Sequence, residues 1–177
     1  MIYIIYPIYF LLSIYPKSSG RLGQFLGRLR GRALKPLFKK MGKNVNIGRF
    51  CSFFNTKEIE FDDNSGVGNN SNISGPIKIG KNTIIAYSFL AITQNHKFND
   101  LAVPIGNQGY KDPKPIIIEE NCWIGARVIV LPGVKIARGT VVGAGSVVRD
   151  NTQSDSIVFG NPAKFVRKRG KPKSSPK

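Results

Sequence analysis

From residue 61 the chain places an apolar side chain at every sixth position: Phe61, Val67, Ile73, Ile79, Ile85 and Ala91. After an interruption the same spacing returns at Ile118, Ile124, Val130, Ile136, Val142 and Val148. Four residues after each member of the second run stands a small or β-branched companion: Cys122, Val128, Val134, Thr140, Ser146 and Thr152. A six-residue unit is too short to bury a core of its own, so it reads as one side of a coil whose stacked turns share an interior. The pattern predicts short strands joined by corners, with the aliphatic residues inward. Gly68, Gly80, Gly125 and Gly143 each follow an inward position, at corners where a missing side chain or a positive φ is accepted at least cost.

From Ala91 to Ile118 is 27 positions, not a multiple of six, so the coil is interrupted there. The interruption contains "NHKFNDLAVPIGNQGYKDPKP", and its Pro104, Gly106, Gly109, Pro113 and Pro115 mark an excursion loop over residues 93–116. Loops held on a rigid scaffold are common places for function. This one begins with His96, the only histidine of the chain. On its own, a lone loop histidine reads first as a surface residue.

The N-terminus follows a different rule. "MIYIIYPIYFLLSIYP" is apolar, but as a helix it spans about 22 Å against a hydrocarbon layer of about 30 Å, too short for a clean crossing. It lacks the basic start and the small-residue cleavage site of a signal peptide, and Pro7 interrupts it. It is expected to be retained and to dip into a membrane. In "GRLGQFLGRLRGRALKPLFKKMG", Leu22, Phe25, Leu26, Leu29, Ala33, Leu37 and Met41 recur at three- and four-residue spacings, with Arg21, Arg28, Arg32, Lys35 and Lys39 between them. Such a helix either lies on an anionic interface or packs its apolar side on the body. Gly23, Gly27, Gly31 and Pro36 weaken it.

Three segments result: an apolar and basic stretch over 1–43, a repeat body over 44–163 carrying the loop, and a basic tail over 164–177. At 177 residues and 41% hydrophobic, the chain builds one domain with appendages. Its net charge of +17 is unevenly spread: residues 1–50 carry ten Lys or Arg and no acid, 164–177 carry seven more, and the middle carries ten of each sign. A neutral body offers no docking face for nucleic acid, which argues against that partner. Cys51 and Cys122 stand far apart with no CxxC, so neither a zinc site nor a disulfide framework is indicated. A β-helical zinc carbonic anhydrase would need three histidines.

The stretches "IGKNTIIAYS", "NCWIGARVIVLPGVKIARGTVVGAGSVV" and "GNPAKFVRKR" resemble the hexapeptide-repeat acetyltransferases over about residues 44–169. The nearest subgroup acts on sugars and surface polysaccharides, as maltose, galactoside and colanic-acid-type O-acetyltransferases. The resemblance implies an all-β fold, a left-handed parallel β-helix, with an N-terminal helical segment. It also implies a homotrimer, acetyl coenzyme A as co-substrate, no metal, and a sugar or glycan acceptor. Transfer to the nitrogen of an amino sugar, or a non-catalytic trimeric scaffold, are the alternatives. A membrane-proximal glycan would suit the N-terminus, which places the protein in the cytoplasm at the inner face of the cell membrane.

The same resemblance assigns roles. His96 becomes the general base that takes the acceptor's proton, a task suited to imidazole near neutral pH. Ala126 and Ala144 fall where backbone amides line the pantetheine arm, and Lys164 and Arg167 where cations meet the coenzyme phosphates. Asp100 either orients the imidazole or is a solvated carboxylate. Asn95 is an acceptor ligand or a turn residue, Trp123 covers the carrier channel or packs on a neighbouring subunit, and Arg149 lines the carrier or has no role. Asn69, Asn70 and Asn72 lie where relatives contribute an acceptor asparagine, although corner duty explains them as well. Cys122 occupies a companion position and reads as structural.

Overall fold

The computed structural model describes residues 2–14 and 20–170. Three sheets of very short strands form a three-sided prism. The first sheet stacks Lys40–Met41, Ile59–Phe61, Ile77–Ile79, Ile116–Ile118 and Lys135–Ile136. The second stacks Asn46–Ile47, Gly66–Val67, Ile84–Ile85, Trp123–Ile124, Val141–Val142 and Ser156–Gly160, and the third Ser52–Phe54, Asn72–Ser74, Leu90–Ala91, Ile129–Val130 and Val147–Val148. All of these neighbours pair in parallel, and partners such as Ile59 and Ile77, or Trp123 and Val141, lie one eighteen-residue coil apart. The fold is a left-handed parallel β-helix, as the resemblance implied.

All twelve expected inward residues are buried, and so are Cys122, Val128, Val134, Thr140 and Ser146; Thr152 is half-buried. The hydroxyl companions have a second task, because a corner leaves backbone groups without ladder partners. The Ser146 hydroxyl donates to the Gly143 carbonyl at 2.7 Å and accepts the Gly160 N–H at 3.1 Å. Thr83 does the same between coils, donating to the Glu119 carbonyl and accepting the Cys122 N–H.

The corner glycines are explained by proximity rather than by φ. A Cβ on Gly68, Gly80 or Gly125 would come within 2.6 Å of the next coil's backbone, and on Gly143 within 2.4 Å of the Phe159 ring. The left-handed conformations fall two residues later, at Asn70, Asn82, Ser88, Asn121 and Arg127 and then at Gly133, Gly139 and Gly145. Asparagine tolerates that region and glycine occupies it freely.

The solenoid starts before residue 44 and ends after 163. Lys40 already pairs with Glu60, a step of twenty that accommodates the tight turn Thr56–Glu58 at one corner. At the other end Ala163–Lys168 turns back antiparallel on Ser156–Gly160, so residues 164–168, expected as tail, close the second sheet. The tail residues 171–177 lie outside the described residues.

Helices α1, Ile2–Ile14, and α2, Arg21–Leu34, lie against the first coil. α1 turns Ile5, Tyr9 and Ser13 inward and leaves Ile8, Phe10, Leu11 and Ile14 exposed. The Tyr9 hydroxyl accepts the Cys51 N–H at 2.7 Å and donates to the Gly48 carbonyl at 3.0 Å. Burial pushes its phenol far above the ordinary range, so it stays protonated. From α2, the buried Arg30 guanidinium donates to the Ile47 carbonyl at 2.7 Å and the Leu12 carbonyl at 3.1 Å, tying α1 to the coil. The helix-weakening Gly31 is needed here, since a Cβ would meet the Val45 carbonyl at 2.6 Å, whereas Gly27 lies against the movable amide of Asn46. Thus one face of each helix packs on the body and one stays free. No described helix is long and apolar enough to cross a membrane.

Tyr9→Phe keeps the ring but strands the buried Cys51 N–H, an unsatisfied donor that costs about 1–3 kcal/mol. It is expected to lower the melting temperature and to speed protease cleavage at the N-terminal helices before the solenoid is cut.

Candidate active site

The excursion leaves the prism at the corner between the third and first sheets, after Leu90–Ala91, and returns at Ile116. Thr93 anchors its base by donating to the Gly75 carbonyl at 2.8 Å. Its two limbs then meet: the Lys97 N–H donates to the Gly109 carbonyl at 3.0 Å, and the Lys111 N–H to the Asn95 carbonyl at 2.8 Å. This brings His96 opposite Tyr110, with their ring centroids 4.1 Å apart. His96 is solvent-exposed, and none of the side-chain hydrogen bonds among the described residues engages its ring. The imidazole is stacked on Tyr110 and its nitrogens are free of hydrogen bonds to the described residues.

Asp100 does not orient it. One of its carboxylate oxygens accepts the Ala102 N–H at 2.9 Å, closing a turn of the loop. The Gln108 amide braces that turn by donating to the carbonyls of Asp100 and Val103. Asn95 contributes its backbone carbonyl to the limb pairing. Tyr110 and Gln108 thus hold the loop in shape, and neither was singled out in the sequence, where no periodicity marks them.

Ala126 and Ala144 stack one coil apart at the opposite corner, between the second and third sheets, where the Gly145 N–H donates to the Ala126 carbonyl at 2.8 Å. Ala144 is exposed and Ala126 half-buried, so backbone is accessible there. Along the second sheet, lateral pairing aligns Asn46, Gly66, Ile84, Trp123, Val141, Ile157 and Arg167 in one outward row. Trp123 and Ile84 are exposed, so the row is an apolar stripe that ends at a cation. Lys164 is exposed on the final strand, two rows from Arg167. Arg149 pairs instead with Asp150. Asn69 accepts the Arg49 N–H and Asn70 adopts φ 57°, both corner duties, while Asn72 faces outward on the third sheet. Within one chain, therefore, the cation-ended stripe and the Ala126 corner adjoin, and His96 stands on another edge.

The cysteines take no part. Burial pushes the Cys122 thiol up to about 11, and raises Cys51 as well. A raised pKa means less thiolate at pH 8, so iodoacetamide should label Cys122 of the native protein about a hundredfold more slowly than that of the unfolded chain, and Cys51 more slowly as well. Labelling followed by mass spectrometry checks this. Among the described residues no group of acidic, histidine and cysteine side chains is arranged to hold a metal.

The family profile described as bacterial transferase hexapeptide (six repeats) matches residues 115–150. A galactoside O-acetyltransferase of Lactococcus lactis subsp. lactis (strain IL1403) is 32% identical over 140 residues, which cover 76% of this chain and 65% of that protein. WcaF of Escherichia coli (strain K12), provisionally named a colanic acid biosynthesis acetyltransferase, is 33% identical over 148 residues, 82% of this chain and 78% of its own length. A maltose O-acetyltransferase from Clostridium difficile 630 superposes with a TM-score of 0.77 at 25% identity, over 94% of this chain and 85% of that one. A galactoside acetyltransferase solved with coenzyme A shares the fold, with a TM-score of 0.74 at 23% identity over 93% of this chain and 78% of that one. The chain belongs to the hexapeptide-repeat acetyltransferases.

Proposed function

We propose that the protein transfers acetyl from acetyl coenzyme A to a hydroxyl of a sugar or surface-polysaccharide precursor, with His96 as general base. The observation that carries this reading is the placement of the single imidazole, exposed and clamped against Tyr110 at the neck of the excursion loop. The imidazole takes the acceptor's proton as its oxygen attacks the thioester carbonyl. The tetrahedral oxyanion then collapses, the carbon–sulfur bond breaks, and the imidazolium returns the proton to the departing thiolate. A corner N–H aimed at the carbonyl oxygen would lower that barrier. The reaction is direct, with no acetylated enzyme, in keeping with two buried thiols.

The reading includes a homotrimer. Apart from Ile117, the outward row of the first sheet is charged, and it is ion-paired through Lys39 to Glu60, Lys40 to Asp62 and Lys135 to Glu119, as suits a face in water. The second and third sheets turn Ile84, Trp123, Leu90 and Ile129 outward, and the loop adds Phe98, Ile105 and the 99% exposed Leu101. Apolar surface of that extent is covered in a working protein. A neighbouring copy that lays its loop over the stripe would bring its His96 to the Trp123 row and the Ala126 corner, leaving Lys164 and Arg167 to take the coenzyme phosphates. The free apolar faces of α1 and α2 support a location at the inner face of the membrane.

Acetyl transfer from radiolabelled acetyl coenzyme A into lipid-linked and soluble glycan fractions tests the reaction. Label in a glycan, released by mild alkali as an ester, is the expected result. Alkali-stable label would mean an amide, and a folded trimer that binds the carrier yet labels no glycan would overturn the proposal.

A further inference from the structure

Between α2 and the first coil lies a cavity of about 310 Å³ whose wall carries Arg28, Arg32, Lys35 and Lys43. The first three recur at four- and three-residue spacings and so share one flank of the helix, while Lys43 comes from the facing corner. No ion pair or side-chain hydrogen bond among the described residues engages any of the four. On the first sheet and its flanks, by contrast, Lys39, Lys40, Lys78, Lys81 and Lys135 each face a carboxylate. The acids nearest this corner are already engaged: Asp63 accepts the Lys43 N–H at 2.6 Å, and Asp62 holds Lys40. The four exposed cations thus border one hollow without an ion pair of their own and with a single carboxylate, Asp63, at its edge, an excess of positive charge that suits an anion. Two of them are arginines, whose planar forks match phosphate oxygens.

The surroundings select which phosphate. On the same helix Leu22 and Phe25 are 60% and 55% exposed, and the adjoining α1 exposes Ile8, Phe10, Leu11 and Ile14. A soluble anion would account for the cations and leave this apolar surface unexplained. A phospholipid accounts for both, since its acyl layer receives the apolar side chains while its phosphate reaches the basic hollow. We propose that the cavity between α2 and the first coil binds the phosphate of an anionic membrane lipid, with α1 and α2 lying along the interface. The inference deepens the membrane reading above and does not depend on the acetyl-transfer reading.

The test is sedimentation of the full chain with vesicles of phosphatidylcholine alone or mixed with phosphatidylglycerol, at physiological salt. The variant Arg28→Gln/Arg32→Gln/Lys35→Gln is compared with Lys78→Gln/Lys81→Gln/Lys135→Gln, which removes the same charge from the ion-paired face. Wild type and the second variant are expected to bind phosphatidylglycerol vesicles equally, and the first roughly 100-fold more weakly, at about 1 kcal/mol for each cation lost. Arg32→Glu alone serves as a check should the triple variant melt early, and it is expected to lose binding in the same direction. Equal loss in both triple variants would reduce the effect to total charge and overturn the site. Calorimetric binding of inorganic pyrophosphate, with vesicle binding unchanged by the first variant, would assign the hollow to a soluble phosphate instead. Retention on DNA equal to that on vesicles would reject the lipid. Acetylation of a soluble acceptor should be unaffected by either variant, so a failure here and a failure of the acetyl-transfer reading are told apart.

Discussion

His96→Ala is expected to lower acetyl transfer by about 100- to 10,000-fold while leaving carrier binding and melting temperature unchanged, since general-base catalysis contributes on that scale. The separation follows from the geometry. The imidazole is exposed and its contact is one ring, Tyr110, in a loop that the pairs Lys97–Gly109 and Lys111–Asn95 hold closed without it. Its removal takes away no core volume and strands no buried polar group. The chain has no second histidine to substitute. Single-turnover transfer with calorimetric titration of the carrier reads both quantities; a variant with full activity would remove the base from the mechanism. Tyr110→Leu is expected to give a smaller loss, because it loosens the ring without deleting the base.

Ile124→Ala is expected to cost about 2–5 kcal/mol and to lower the melting temperature by roughly 10 °C. Ile124 is fully buried in the middle of the second sheet and stacks between Ile85 and Val142 of the adjoining coils. Its neighbours are held by ladders on both sides, so the prism collapses poorly around the void. The same change at Ile157, half-buried on the outward row, should cost far less. Calorimetric melting of the two variants compares them directly, and equal losses would contradict the inward and outward assignment.

The register of the core was legible because a six-residue period has few structural solutions: every inward position from Phe61 to Val148 is buried. The cause of the corner glycines was not, since a clash with the next coil depends on atoms eighteen or more residues away, as Gly125 against Ala144 shows. The early start at Lys40 was hidden by the twenty-residue first step, which breaks the period. The closing strand over Ala163–Lys168 was hidden by its cations, which read as tail although they flank backbone that pairs with Ser156–Gly160. At the site, His96 is visible as the sole histidine, but the engagement of Asp100 with the Ala102 N–H is a matter of loop path that spacing does not encode. The wide separation of His96 from the Ala126 corner is likewise a property of three faces, which a linear pattern cannot order.

The helices beneath the first coil and the antiparallel strand above the last one have a further consequence. Every interior coil presents the next with the same ladder of amides, carbonyls and aliphatic side chains, so the two terminal coils alone would offer sticky, extendable ends. With Tyr9 and Arg30 fastening the helices over one end and the reversed strand Ala163–Lys168 closing the second sheet at the other, the number of coils between them becomes a free variable. Duplicating one coil, residues 118–135, would lengthen the prism by about 4.8 Å and leave both terminations intact. A gene for such a protein can grow or shrink by internal copying, and the height of the loop-bearing edge can drift while the two terminations stay as they are.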